Sequence, residues 1–159
     1  MEHKQLPSYK HTQIGYFMLV VTLAVLILFI LARISAASEP LSVDSGSNFA
    51  VSVLMVLVLF ILASFASLTV WIDDQYLRIK FGYGIFAKQF ALSEIVSVRK
   101  AKNHWYYGWG IHLWLRPKKW LYTVSGFQAV EITLKNGNVY LIGTDVPTEL
   151  ETAIKQAIR

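Results

Sequence analysis

The sequence lacks cysteine and is poor in charge. Without cysteine, disulfide bonds and zinc sites with thiolate ligands are excluded. Only 16% of the 159 residues are Asp, Glu, Lys or Arg, whereas about 25% is usual in soluble domains. Acidic residues are rarer than basic ones, with 10 Asp and Glu against 15 Lys and Arg. Hydrophobic residues make up 55% of the chain. The chain is therefore basic and unusually apolar.

Charge is missing entirely from two long stretches, residues 14–32 and 49–67. The hydrocarbon core of a membrane is about 30 Å thick, and a helix needs roughly 20 apolar residues to cross it. A buried helix of a soluble protein would instead show one polar face, and neither stretch has one. The sequence predicts an integral membrane protein with a transmembrane hairpin. Residues 1–67 form the N-terminal tail and this hairpin, and residues 68–159 form a separate domain.

Basic residues near the helix ends predict the orientation, because cytoplasmic flanks are enriched in Lys and Arg. The basic residues that flank the predicted hairpin are Lys4 and Lys10 before it and Arg78, Lys80 and Lys88 after it. The segment between the two stretches offers only Arg33, and an arginine at a helix end can reach the interface on either side. We expect a multi-pass protein of the cytoplasmic (inner) membrane with both termini in the cytoplasm.

A cleaved signal peptide is the alternative interpretation of the first stretch. Lys4 and Lys10 would supply its basic start, and the small residues at 35–37 imitate a cleavage site. The apolar run is longer than the roughly 7 to 15 residues usual in such peptides, which favours a retained helix. After cleavage, the second helix would still deliver the C-terminal part to the same side of the membrane.

Residues 68–159 follow a period of two, which is the pattern of half-buried strands. In the segments YLRIKF and VEITLK the apolar residues of one face are Leu77, Ile79, Phe81, Val130, Ile132 and Leu134. Turn signals separate such segments, and Asn136-Gly137 is the strongest hairpin signal among them. We expect seven or eight strands in a meander.

The end of the chain has the pattern of an amphipathic helix. Asp145 is the expected N-cap, and Pro147 lies in the first turn, where proline is well tolerated. The apolar stripe of this helix comprises Leu150, Ala153, Ile154, Ala157 and Ile158. The pattern predicts a small antiparallel barrel closed by one C-terminal helix.

Four segments together resemble a known family. They are a first strand emerging directly from a transmembrane helix (SLTVWIDDQYLRIKFG), a further strand (ALSEIVSV), the segment VSGFQAVEITLKNGNVYLIGTD and the terminal helix TDVPTELETAI. In these segments the chain resembles the bacterial pleckstrin-homology-like (PH-like) domains that are attached to membrane helices. The resemblance covers residues 68–159 and implies an α+β membrane protein with a split β-barrel capped by a helix. It implies no reaction, because no catalytic site belongs to the family as a whole.

Residues suited to catalysis are scarce. His104 and His112 have no carboxylate near them in sequence, and no cysteine can complete a zinc set. Asp73-Asp74 has the composition of a turn. The segment GTD at 143–145 lacks the further glycines and the lysine of a phosphate loop, so helix capping explains it better. We expect no enzyme, no cofactor and no metal site.

Transport and nucleic-acid binding are also disfavoured. The FGYG at 81–84 has the letters of a potassium selectivity filter, but it follows the second helix, whereas a filter lies between helices at membrane depth. Neither predicted helix contains an ionisable residue, which ion pathways usually need. Basic and aromatic residues together can bind nucleic acid, but a domain held against a bilayer is less accessible to it. We expect no nucleic-acid partner.

Binding is the function class that remains, and the stretch at 103–120 is its candidate site. It holds four of the five tryptophans, and strand alternation places Ile111, Leu113 and Leu115 inward. Tryptophan suits headgroup depth, and each Lys or Arg contributes about 1 kcal/mol beside an anionic leaflet. The candidate residues for membrane or partner contact are Trp105, Tyr106, Trp109, His112, Trp114, Arg116, Lys118, Lys119 and Trp120. The alternative is a loop whose rings fold back and pack on the barrel.

The sequence therefore predicts a membrane-anchored, non-catalytic binding or scaffolding module that contacts anionic lipid headgroups or protein partners. An accessory subunit of a larger membrane assembly is the alternative, and an enzyme comes third. Ala63 and Ser67 are small residues four apart, a spacing that permits close helix packing and thus a homo-oligomer.

Overall fold

The computed structural model describes residues 8–37, 45–104, 108–115 and 118–159. Within them the chain has an α+β structure with three α-helices and nine strands, which confirms the predicted α+β class. The helices are α1 (Tyr16–Ala37), α2 (Ser45–Ser64) and α3 (Pro147–Ala157). The strands are β1 (Tyr9–Ile14), β2 (Ser67–Ile72), β3 (Tyr76–Phe81), β4 (Ala87–Ala91), β5 (Ile95–Lys102), β6 (Gly110–Leu115), β7 (Lys118–Thr123), β8 (Gln128–Leu134) and β9 (Val139–Gly143).

The first sheet contains four antiparallel strands in the order β1-β2-β3-β4. β1 precedes α1 in the chain, and its last residue, Ile14, pairs with Ser67 at the start of β2. The sequence prediction placed the whole β-domain after residue 67 and missed this strand. The residues of β1 opposite the buried apolar positions of β2 are Tyr9, His11 and Gln13. None of them is aliphatic, so β1 shows no apolar alternation in the sequence.

Both apolar helices have bounds that differ from the predicted ones. α1 starts after residue 14, because Ile14 belongs to β1, and it continues beyond residue 32. α2 ends before residue 67, because Ser67 already pairs with Ile14. Ala63 and Ser67 therefore do not share a helix face, and the predicted small-residue pair is wrong. Hydropathy identifies apolar residues, whereas backbone hydrogen bonds decide where a helix ends.

α1 is long and apolar enough to cross a membrane, and none of its apolar stretch, Tyr16–Ser35, is buried in the protein. The apolar part of α2, Asn48–Ser64, is shorter. Among the described residues, α1 is thus the one helix that meets this criterion of length and composition. The two helices contact each other, and Arg33 of α1 donates a 3.2 Å hydrogen bond to the side-chain oxygen of Asn48 in α2.

The main core lies between the two sheets and α3. Leu77, Ile79 and Phe81 of β3 are buried in it, and so are Val130 and Ile132 of β8. The half-buried pattern predicted for YLRIKF is therefore confirmed. In VEITLK the predicted apolar face is also in the core, but Glu131 on the opposite face is buried as well, so the prediction of a half-buried strand is wrong there. One face of each strand is apolar because that face is removed from water on folding.

The second sheet contains five strands in the order β5-β8-β9-β7-β6. The β8-β9 hairpin, whose turn contains Asn136-Gly137, lies between β5 and β7. β9 consequently runs parallel to β7, while the other neighbouring strands of this sheet are antiparallel. The eight strands β2 to β9 agree with the predicted seven or eight, but the predicted meander is wrong. Turn signals predict a hairpin, but they do not determine where the finished hairpin inserts.

α3 packs one face against the main core through the fully buried Leu150 and Ile154, which confirms the predicted apolar stripe. Its N-cap is Val146 and not the predicted Asp145. The Asp145 carboxylate instead lies 2.5 Å from the ring of His11 in β1. The Asp145 carboxylate thus pairs with His11, near the other end of the chain, although the local sequence predicts that it caps α3.

The β-domain has two ends, which differ in their distance from α1 and α2. At the helix-proximal end β1 meets α1 and α2 meets β2, and the turns at 82–86 and 124–127 lie there too. The Ser125 hydroxyl, for example, donates a 2.9 Å hydrogen bond to the carbonyl oxygen of Ile14. The helix-distal end carries the β2-β3, β6-β7 and β8-β9 turns. Strands of five or six residues, at about 3.3 Å per residue, separate the ends by about 17 to 20 Å.

Gly82 allows the β3-β4 turn to lie directly against the end of α2. Its φ is +39°, and a side-chain carbon at this position would lie 2.4 Å from the carbonyl oxygen of Ser64. Both conditions require glycine. The sequence FGYG therefore forms a turn of the β-domain packed on a helix end.

The pairing of Ile14 with Ser67 predicts that both helices can be replaced by a short turn. A two-residue Asn-Gly turn in place of residues 15–66 should join β1 and β2 as a hairpin, and this chain should fold as a β-domain. A fragment of residues 68–159 lacks β1 and should be less stable by at least about 3 kcal/mol, because losing a core aromatic such as Tyr9 costs about 3 to 5 kcal/mol. Denaturant unfolding followed by circular dichroism compares the two. Equal stability would contradict the role of β1.

Candidate interaction surfaces

Titratable side chains in the described part of the chain come together as ion pairs, such as His11 with Asp145 and Arg99 with Glu131. Among the residues that the structure describes, no group of three His, Asp or Glu side chains could hold a metal ion. The close pair of His11 and Asp145 connects β1 with the segment before α3. Its position between two structural elements gives it a structural role, because it ties the start of the chain to the end.

Two tyrosines of the β-domain have raised pKa values. Burial, followed by repulsion from Glu149 and Asp145, raises the pKa of Tyr9 to about 12. Burial is also the main cause that raises the pKa of Tyr122. A general acid or base works best with a pKa near the operating pH. Both shifts move the hydroxyl away from that range, so neither tyrosine is poised to transfer a proton at neutral pH.

Aromatic rings connect the helix-proximal end of the β-domain with the helices. The ring centre of Trp109 lies 4.5 Å from that of Phe17, in the first turn of α1. Tyr83, in the β3-β4 turn, stacks on Phe60 of α2 with 5.5 Å between ring centres and 7° between ring planes. Both distances are in the range of favourable aromatic pairs. The β-domain therefore contacts the helices through its loops as well as through the chain connections.

Part of the predicted contact set lies outside the described residues, namely Trp105, Tyr106, Arg116 and the side chain of Lys118. Trp109 lies at the helix-proximal end, and its carbonyl oxygen is 2.6 Å from the Nε2 of His112. His112 itself is exposed on β6. These two residues are the part of the set that the structure brings close to the helices.

Trp114, Lys119 and Trp120 are more buried than the interface hypothesis requires. Trp120 is half-buried and packs against the main core. Trp114 packs on the other face of the sheet, against a second apolar cluster of Leu121, Ala129 and Leu141. The nine predicted residues therefore do not form one exposed patch. Their contact with a membrane or a partner stays a prediction.

The alternation predicted for β6 holds only near its start. Ile111 packs on the main core, but Leu113 and Leu115, on the same face, are 40% and 73% exposed. The prediction that these two leucines point into the core is wrong. β6 is the outermost strand of its sheet, so it has a neighbouring strand on one side only.

A buried charge cluster on the outer face of the second sheet was not predicted. Glu131 is 6% exposed, and its Oε1 accepts a 2.8 Å hydrogen bond from the Arg99 side chain. The amino group of Lys119 lies 3.6 Å from the other carboxylate oxygen. Two cations compensate for the desolvation of this carboxylate. The alternation in VEITLK placed Glu131 away from the core, but the approach of Lys119 depends on the strand order.

The burial of Trp120 predicts a large stability loss on its truncation. Trp120→Ala should lower the free energy of unfolding by about 3 kcal/mol, because it removes a ring packed on the main core. Leu115→Ala, on the neighbouring strand, should change it by less than about 0.5 kcal/mol, because this side chain is largely exposed. Denaturation of the detergent-solubilised protein, followed by near-UV circular dichroism, measures both. Equal losses would contradict the contrast in burial.

The raised pKa of Tyr9 predicts a loss of stability at alkaline pH. Unfolded tyrosine ionises near pH 10 and folded Tyr9 near pH 12, so its contribution is complete below about pH 10 and is lost as the pH rises to about 12. Tyr9→Phe should reduce this loss without lowering stability at pH 7, because the Tyr9 hydroxyl is buried and has no hydrogen-bond partner in the described structure. Denaturation at both pH values measures the effect. An alkaline loss of the same size in Tyr9→Phe and in the wild type would contradict the role of the buried Tyr9 hydroxyl.

No family model matches the chain, no curated protein matches it, and no solved structure matches its fold. The PH-like resemblance therefore stays a prediction. The features that bear on function are the two apolar helices and the two ends of the β-domain.

Proposed function

We propose that this chain is a membrane-anchored, non-catalytic binding or scaffolding module. In this proposal α1 and α2 cross the membrane as a hairpin, and the two sheets with α3 form a PH-like split barrel at its inner face. The observation that carries the proposal is the direct continuation of two neighbouring strands into two apolar helices.

The junctions between strands and helices are very short. β1 reaches α1 through Gly15 alone, and α2 reaches β2 through Phe65 and Ala66. The amide N–H of Gly15 donates a 2.8 Å hydrogen bond to the carbonyl oxygen of Ala66, so the pairing of the two chain segments continues up to the base of the helices. The apolar surface of α1 is not covered by the β-domain. Lipid is the medium in which such a surface is stable.

The same geometry supports a second crossing by α2. β1 and β2 are neighbours in one sheet, so both junctions lie on the same side of any membrane that α1 crosses. A chain that leaves through α1 therefore has to return before residue 67. The one apolar helix available between α1 and β2 in the described structure is α2, which contacts α1 along the way.

The proposed orientation places the β-domain and both termini in the cytoplasm, at the inner membrane of a bacterial-type cell. Lys80 in β3 lies close to the junctions and supplies a basic flank of the kind that cytoplasmic segments favour. Lys10 in β1 lies four residues, about 13 Å, from the junction at Ile14. The external segment between α1 and α2 carries Glu39 and Asp44.

The two ends of the β-domain suit different partners. Trp109 belongs to the connection between β5 and β6 at the helix-proximal end, where the proposal has lipid headgroups as the neighbours. Lys118 and Lys119 begin β7 at the helix-distal end, about 17 to 20 Å away. This distance exceeds the Debye length of about 8 to 10 Å, so attraction to the same leaflet is weak there. The helix-distal end therefore suits a protein partner better than the membrane.

The absence of cysteine permits a test by single-cysteine labelling of the full chain in cells. Glu39→Cys, between α1 and α2, should react with a membrane-impermeant maleimide added outside. Arg159→Cys should react only after the inner membrane is permeabilised, because the proposal places it in the cytoplasm. Leu23→Cys, within α1, should resist the reagent in both states, because lipid surrounds it.

The outcomes of this labelling separate the parts of the proposal. Labelling of Leu23→Cys in intact membranes would contradict a membrane-spanning α1. Reaction of both Glu39→Cys and Arg159→Cys from outside would contradict the hairpin. Extraction at alkaline pH with carbonate is the independent check, and the protein should stay in the membrane pellet.

An accessory subunit of a larger membrane assembly is the second candidate function. It is favoured by β6, an outermost strand that exposes Leu113 and Leu115. A strand from a partner subunit could pair with this edge and cover both side chains. In that case Leu115→Ser should release the partner and reduce the size of the complex extracted from native membranes. A wild-type protein that already migrates as a monomer would contradict this candidate.

A further inference from the structure

The connections at the two ends of the β-domain differ in charge. At the helix-proximal end they have the sequences GYGIF (82–86), NHWYYGWG (103–110) and VSGF (124–127), which contain no Asp, Glu, Lys or Arg. The charged residues in the helix-distal connections are Asp73, Asp74, Glu94, Arg116 and Lys135. A further connection, from β9 to α3, carries Asp145, but this carboxylate turns back to pair with His11. Surface turns normally carry polar and charged residues, so the helix-proximal end is the exception.

The helix-proximal loops also extend past the base of the helices. Phe60 lies four residues before the end of α2 at Ser64, which is about 6 Å along the helix axis. Tyr83 stacks on Phe60, so the tip of the β3-β4 turn reaches the level of the last turn of α2. Trp109 reaches Phe17 in the first turn of α1 in the same way. The loops therefore lie beside apolar helix surface.

Large apolar side chains at this end are exposed to the surroundings. Tyr83 is 65%, Ile85 56% and Phe127 57% exposed. Phe127 belongs to the same end as the helices, because its carbonyl oxygen accepts a 2.8 Å hydrogen bond from the Asn103 amide. Ser125, two residues earlier in the same turn, donates a hydrogen bond to the carbonyl oxygen of Ile14. Together these side chains extend the apolar surface of α1 and α2 onto the β-domain.

We infer that the helix-proximal end of the β-domain is itself a lipid-binding surface, with Tyr83, Ile85 and Phe127 inserted in the interfacial layer of the bilayer. This inference rests on the proposed membrane anchoring by α1 and α2. The bilayer is the occupant because this surface is continuous with the helices, and because uncharged aromatic side chains are typical of the interface between lipid and water. A protein partner would have to enter between the β-domain and the lipid.

The recognised chemistry is the apolar and carbonyl region of phospholipids in general. The loops contain no Lys or Arg, so binding depends on apolar insertion and not on the headgroup charge. The strands of the β-domain then run roughly perpendicular to the membrane surface, and the helix-distal end faces the cytoplasm. Its orientation is fixed by five attachments, two chain junctions and three loops.

Fluorescence quenching in phosphatidylcholine nanodiscs tests this inference on the full chain. Ile85→Cys and Phe127→Cys, each labelled with a small bimane dye, should be quenched by a lipid carrying a nitroxide on its headgroup. They should lose most of the quenching by aqueous iodide that a free bimane thioether shows. Neither substitution disturbs a packed side chain, because both residues are exposed.

Val96→Cys and Leu115→Cys are the matched controls, because both replace exposed apolar residues at the helix-distal end. They should show the opposite pattern, with strong quenching by iodide and little by the nitroxide lipid. If Ile85→Cys and Phe127→Cys behave like these controls, the inference is wrong. Quenching that appears only after phosphatidylglycerol is added, or that disappears in high salt, would also overturn it in favour of charge-dependent binding.

Leu23→Cys, in α1, separates this inference from the proposed function. A label at Leu23 that is protected from iodide, combined with exposed labels at Ile85 and Phe127, would leave the membrane anchor intact and refute the loop insertion. A label at Leu23 that iodide reaches would refute the anchor itself. Protection at all three positions supports both.

Discussion

The pairing of β1 with β2 is the interaction on which the rest of the structure depends. It brings the residues before α1 and the residues after α2 into one sheet, with Ile14 opposite Ser67. Each strand continues into its helix within one or two residues, so the two helices start side by side from a common base. Without this pairing, the connection from α2 to β2 alone would join the helices to the β-domain, and the domain could rotate about that connection.

A second constraint runs along the strand axis, where the composition changes in steps. Apolar helices are followed by uncharged aromatic loops, then by a closed apolar core, and finally by turns that carry Asp, Glu, Lys and Arg. Each step is stable in a different medium, because apolar surface favours lipid, aromatic rings with polar atoms favour the interface, and charges favour water. Apolar surface thus lies at one end of the molecule and charged turns lie at the other.

Burial explains why the aromatic stretch at 103–120 does not act as one surface. Alternation along β6 and β7 sends neighbouring side chains to opposite faces of the sheet, and both faces carry apolar clusters. Trp120 joins the main core and Trp114 the outer cluster, while Trp109 belongs to a loop that contacts α1. Tryptophans that are close in sequence therefore serve three separate contacts.

The sequence by itself determined the features that arise from local periodicity: two apolar helices, the apolar core faces of the strands YLRIKF and VEITLK, the amphipathic α3 and the turn at Asp73. The Asp73 carboxylate accepts a 2.8 Å hydrogen bond from the Tyr76 amide. Tertiary structure alone decided which strands are neighbours. The strand β1 has no apolar alternation, the insertion of β8-β9 beside β7 leaves no local signal, and Asp145 pairs with a residue far away in the chain. Which apolar side chains are exposed was also decided by the tertiary structure, because the exposure of Tyr83 or Leu115 depends on which elements cover the side chain. Periodicity carries no information about contacts between distant segments.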